Sequence, residues 1–103
     1  MHFNIQILNQ LYEIQHKLDD LKITASFERN FNRLYSLFKN EGYMIQDPTN
    51  EVYNESRTDC EASIIGEPSQ RMKISKTIKP IIYRSVDGNI QLVQKAVVLV
   101  EKN

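Results

Sequence analysis

The sequence predicts an α+β fold: an N-terminal helical hairpin followed by a small, mostly antiparallel β domain. Three observations predict it. As far as Phe38, apolar residues recur in steps of three and four, the spacing of one face of a helix. Past Gly42 the texture changes to short β-branched runs punctuated by Pro, Gly, Asp and Asn, as in strands and turns. Residues 76–101 hold two such runs joined by Val86-Asp87-Gly88-Asn89. Asp-Gly is a strong hairpin signal because both central positions of a primed turn need positive φ. A hairpin this apolar needs a cover from elsewhere in the chain.

The first helix is expected over residues 5–22, where Ile7, Leu11, Ile14, Leu18 and Leu21 step by four, three, four and three. That is an a/d seam, narrower than the stripe of a helix lying on a large core. Ile23-Thr24-Ala25-Ser26 reads as a break, with Ser26 or Thr24 placed to cap a second helix and Glu28 near its positive end. That helix carries Phe27, Phe31, Leu34 and Phe38 at the same spacing, and Tyr35 and Leu37 widen its apolar face. Lys39 and Gly42 form a C-terminal stop. The helical region is therefore residues 1–42 and the β domain residues 43–103.

Two short helices with exposed seams do not make a stable core. The simplest remedy is a homodimer in which two hairpins form a four-helix bundle. Leu11, Ile14, Leu18, Leu21, Phe27, Phe31, Leu34 and Phe38 would then be buried. The alternative is that one seam packs on the later sheet.

In the β domain, Tyr43-Met44-Ile45 suits a short strand and Asp47-Pro48-Thr49-Asn50 a turn. Residues 52–58 are polar and irregular, 60–65 suit a strand, and Gly66-Glu67-Pro68-Ser69 is a second turn. From Met72 the chain alternates, placing Met72, Ile74 and Ile78 on one face until Pro80 interrupts. A proline there implies an edge or a bulge.

Formal net charge is zero, with 13 basic and 13 acidic residues, which argues against a strongly basic nucleic-acid binder. Arg71, Lys73, Lys76, Lys79 and Arg84 are interleaved with apolar residues, but only Tyr83 is near enough to stack a base. No apolar run approaches the roughly 18 residues of a membrane span. The start, Met1-His2-Phe3-Asn4, lacks a secretory pattern. Cys60 is the only cysteine, compatible with the cytoplasm, and its neighbours Asp59 and Glu61 disfavour a thiolate. His2 and His16 are the only histidines, and His16 reads as a solvated residue on the polar side of the first helix. With no second ligand nearby, no metal site is expected. Neither a catalytic constellation nor a phosphate-cradling glycine loop is present, so no enzyme activity and no cofactor are expected.

Several stretches resemble the GrpE family, the nucleotide exchange factors of DnaK-type chaperones. Residues 31–45, a helix end bearing Leu and Phe that runs through Gly42 into an apolar strand, are similar to the last bundle helix of that family. Asp47-Pro48 followed by Glu51-Val52-Tyr53 resembles the opening of its β domain, with Asn50 where Gly is usual. Glu61-Ala62 matches a His-Glu-Ala-Val step in which Cys60 replaces His, and residues 88–102 look like the closing strand. Three features depart from the family. Its long N-terminal paired helix has no counterpart, which implies a short form or a fragment. Ile90 and Gln91 stand where the first hairpin Arg is expected, and Gln94 or Lys95 where the second is.

The resemblance implies a dimeric co-chaperone whose β domain binds the ATPase domain of a DnaK-type chaperone and opens its cleft to release ADP. It places partner contacts on the polar opening and the hairpin face, at Asn54, Glu55, Arg57, Ile82, Arg84, Gln91 and Lys95. The other expectation is a dimeric adaptor whose β domain binds a different protein or a peptide on an open edge.

Overall fold

A computed structural model describes residues 2–103. Two helices, α1 (His2–Asp20) and α2 (Glu28–Asn40), are followed by strands β1 (Tyr43–Gln46), β2 (Val52–Tyr53), β3 (Cys60–Ile64), β4 (Met72–Lys79), β5 (Ile81–Val86), β6 (Asn89–Gln94) and β7 (Ala96–Lys102). The strands form two sheets ordered β1-β5-β6 and β2-β4-β7-β3. All pairings are antiparallel except β3 with β7. The architecture is α+β, with the helices first and a mostly antiparallel β region after them.

One long hairpin builds both sheets. Its first arm is β4 then β5, its second β6 then β7, and it bends where Pro80 and Lys95 interrupt them. Pro80 has no amide to give to a ladder, so it suits the joint between sheets. The arms meet at Asp87 and Gly88, with φ of +52° and +82°, both positive as a primed turn requires. Asn50 also takes the left-handed region, with φ of +74°.

Strand β4 corrects the expected alternation. Register shifts lie between Ile74 and Lys76 and between Thr77 and Lys79. Each is a bulge that moves the following residues to the other face. Thr77 therefore points inward and is buried, whereas Ile78, expected beside Met72 and Ile74, is 49% exposed.

Two apolar clusters hold the molecule. One joins Cys60, Met72, Ile74, Ile81, Ala96, Val98 and Val100. The other joins Leu8 of α1 to Tyr43 of β1 and Ile82 of β5, with Ile5, Tyr35, Phe38, Ile45 and Val93 around them. Ile81 and Ile82 serve opposite clusters because successive strand residues face opposite ways. The helical and β regions thus share a core.

Helix α1 carries two apolar stripes. Ile5, Leu8 and Tyr12 face the strands. The seam read from the sequence lies elsewhere, with Ile14 and Leu21 exposed and Leu11 and Leu18 half-buried. On α2, Phe31 is buried and Phe38 packs on the second cluster, while Phe27, Leu34 and Leu37 are exposed. Cα extents of 40 × 37 × 18 Å leave room for little more than one helix layer over the strands. The far side of α1 therefore meets solvent.

The helix ends differ in part from expectation. Neither Ser26 nor Thr24 caps α2. A 3-10 turn covers Thr24–Phe27, Phe27 precedes α2 without a side-chain cap, and the Thr24 hydroxyl bonds to Asp19. Gly42 does end α2, at φ of +90°, with its amide donating to the Lys39 carbonyl.

Candidate functional site

The most organised polar cluster lies where α1 crosses the β region. Asp47 follows β1 in the turn that Pro48 and Asn50 shape. Its Oδ1 accepts from the Thr49 amide at 3.0 Å and the Thr49 hydroxyl at 2.6 Å, a local Asx turn. Its Oδ2 faces α1, accepting from the Tyr12 hydroxyl at 2.9 Å and lying 3.4 Å from His16 Nε2. Tyr12 and His16 are one turn apart, so they share a helix face and straddle one carboxylate oxygen. Their rings lie 4.0 Å apart, centroid to centroid. The expected solvated histidine is instead a junction residue.

Thr77, turned inward by the bulges, completes the cluster. Its hydroxyl lies 2.8 Å from that of Thr49 and its carbonyl 3.3 Å from the Tyr12 hydroxyl. Burial pushes the Tyr12 phenol well above its ordinary range, and the Asp47 carboxylate adds to this, so the hydroxyl stays a donor. For Asp47 burial acts upward, but the Thr49, Tyr12 and Thr77 hydrogen bonds outweigh it and hold the carboxyl below its usual range. A second fastening lies at the sheet joint. Asn9 and Gln94 exchange two amide hydrogen bonds of 2.8 Å, and Gln94 Nε2 also donates to the Pro80 carbonyl at 2.8 Å. A groove of about 650 Å³ runs along this junction between α1 and β4, bordered by Glu13, His16, Lys17, Lys76 and Lys79.

The residues expected to meet a partner do not converge on one face. Asn54 and Glu55 border a cleft beside Met72, at the open end of the hairpin. Arg84 and Gln91 are cross-strand partners between β5 and β6, toward the turn. Arg84 also lies over the Tyr43 ring at 4.8 Å. Lys95 is exposed at the sheet joint. Arg57 is held by Asp59, Glu51 and the Val52 carbonyl, which ties down its loop. Hydrogen bonding to Asp59 comes first among the influences that keep its guanidinium charged. Ile82 is fully buried beneath α1, so it belongs to the core and not to a contact surface.

Cys60 is buried on β3, and burial first, then Asp59, pushes its thiol up to about 11, against about 8.5 for a free thiol. At pH 8 the thiolate fraction is correspondingly small. Iodoacetamide should alkylate native protein at least ten-fold more slowly than urea-unfolded protein, followed by mass spectrometry. Among the described residues no group of three or more His, Cys, Asp or Glu is placed to hold a metal ion. No helix among them is long and apolar enough to cross a membrane.

No spacing in the sequence brings Tyr12, Asp47, Thr77, Asn9 and Gln94 together at one junction. Ile5, Leu8 and Tyr12 at steps of three and four carry the signal of a second stripe. Asp-Pro-Thr carries that of an Asx turn. Thr77 has no such signal, because its burial follows from bulges. Compared with known proteins, the chain matches no family model, no curated protein and no solved structure.

Proposed function

We propose that this chain is a GrpE-like exchange factor: a dimer whose β head binds the ATPase domain of a DnaK-type chaperone and promotes ADP release. The observation that carries this reading is the helical seam beside a braced β head. Ile14, Leu21, Phe27, Leu34 and Leu37 are exposed in one protomer, with Leu21 at 67% and Phe3 at 69%. An apolar surface of this extent calls for a partner, and a second helical hairpin is the simplest one. The head has the stiffness a wedge needs, since two polar fastenings and a shared core fix α1 to it. Exchange of this kind needs no covalent chemistry. The factor prefers the open chaperone, so factor and nucleotide weaken each other reciprocally.

The test is release of labelled ADP from a DnaK-type chaperone, timed with and without this protein. Acceleration supports the reading, and an unchanged rate removes it. Dimerisation has its own check. Leu18→Asp or Ile14→Asp places a charge in the proposed bundle, so light scattering should fall to the mass of one chain while the β-sheet circular dichroism persists.

A second reading is the dimeric adaptor, favoured by one feature. Strand β6 ends its sheet, and Ile90 and Leu92 on it are exposed, so an extended peptide has an edge to join. Capture of a DnaK-type protein that is lost on adding ATP supports exchange. Capture of another protein, blocked by a proline at position 91, supports the adaptor.

A further inference from the structure

The geometry points to a proton-operated latch between α1 and the β head: protonation of His16 fastens α1 to Asp47, and deprotonation loosens it. The argument starts from what each ring nitrogen faces. His16 Nδ1 lies 3.0 Å from the Tyr12 carbonyl oxygen, and Nε2 lies 3.4 Å from Asp47 Oδ2. Both partners are acceptors. A neutral imidazole has one N–H, so it satisfies one contact and turns a lone pair toward the other oxygen. The imidazolium donates to both, and its charge meets a carboxylate.

The wider field does not decide the matter. Within α1, Glu13, Lys17, Asp19 and Asp20 lie within one turn of His16. Lys17 is 3.6 Å from Glu13, and Asp19 accepts from Thr24. Across the clefts, α2 contributes Lys39, and β4 contributes Lys76 and Lys79. Asp47 aside, three acids stand against four lysines, all without direct contact to the ring and screened by solvent, whereas Asp47 lies 3.4 Å from Nε2. Tyr12, Tyr35 and Tyr43 border the same clefts with phenols, a group uncharged near neutrality. The contact with Asp47 therefore sets the sign.

Asp47 is prepared for this role. Thr49 holds one carboxylate oxygen and fixes the other toward α1. A carboxyl held below its usual range is still charged when histidine takes its proton. The latch is thus fastened at mildly acid pH. It is lost as pH rises and His16 gives up its proton, and again if pH falls far enough to protonate Asp47. The pair is partly exposed, at 45% for His16 and 35% for Asp47, so the effect is graded and not all-or-none. Because Leu8 and Tyr12 hold α1 to the head in either state, the latch changes how firmly the outer seam is oriented. This holds whether or not the head acts on a chaperone.

The test is a double-mutant cycle of His16→Gln and Asp47→Asn, read by urea unfolding of the full chain at pH 5.5 and pH 8.0. The expected coupling is about two- to five-fold in the unfolding equilibrium at pH 5.5 and close to none at pH 8.0. Tyr12→Phe is the comparison. It weakens the same junction, but by the same factor at both pH values, since its hydroxyl does not titrate there. A coupling that is equal at both pH values, or absent at pH 5.5, overturns the latch. If Asp47→Asn fails to fold, histidine-resolved NMR titrations of the wild type, native and unfolded in urea, replace the cycle. A native His16 midpoint no higher than the midpoint in urea overturns the latch.

Discussion

Gly42→Ala should be among the most damaging single substitutions in this protein, lowering its stability by about 2–5 kcal/mol. Two costs combine. Gly42 sits at φ of +90°, where an L side chain is strained by about 1–2 kcal/mol. A Cβ there would also collide with the backbone carbonyl oxygen of Ser85. That carbonyl cannot step aside cheaply, because the Ser85 amide donates to the Gly42 carbonyl at 2.8 Å and Arg84 pairs with Tyr43 in the sheet. Gly66→Ala is the internal control. Gly66 has a similar φ of +80°, but its Cβ would meet nothing within 4 Å, so about 1 kcal/mol is expected. Urea unfolding of the two variants separates backbone strain from collision. Equal losses would mean that β5 does not approach the end of α2 as described.

Ile82→Ala should cost about 2–5 kcal/mol, and Ile78→Ala less than about 0.5. Ile82 is fully buried between α1 and the strands, so truncation removes transfer energy and leaves a cavity. Ile78 faces outward because the first bulge of β4 reverses the alternation and turns its neighbour Thr77 inward, and little is lost with its side chain. Thermal or urea denaturation of both variants decides the point. If Ile78→Ala proved as costly as Ile82→Ala, the strand would run without its bulges, and Thr77 would no longer reach Thr49 and Tyr12.

The contrast between these two isoleucines shows what was legible in the sequence. Element types were: two seams at helical spacing, Gly42 as a stop, Asp87-Gly88 as a hairpin turn, and Pro80 as an interruption all correspond to observed features. Each depends on a local preference a few residues long. Phase within a strand is different. One extra residue reverses every later side chain, and nothing in Met72-Lys73-Ile74-Ser75-Lys76-Thr77 marks where the partner strand will slip. The packing of α1 was hidden for another reason. Its more regular apolar stripe faces solvent in the single protomer, while the shorter stripe of Ile5, Leu8 and Tyr12 meets the strands. The cluster around Asp47 was half legible: the turn could be read, but not the helix arriving on its second oxygen. The partner-contact residues follow from the resemblance alone, and the fold parts them: Asn54, Glu55 and Arg57 lie in the loop before β3, and Ile82, Arg84, Gln91 and Lys95 on β5, β6 and the joint after it.

Strand β7 lies inside its sheet, flanked by β4 on one side and β3 on the other. Cys60 pairs with Ala96 and Ile64 with Val100, contacts closed only across a long loop. During synthesis β3 therefore waits without its partner until residues 96–102 have left the ribosome. Until then Cys60, Met72 and Ile74 have no Val98 or Val100 to cover them. Assembly of this sheet thus follows the arrival of β7, and loop closure makes it slower than formation of the helices. The folding chain thus passes through a stage in which its most apolar strands are bare.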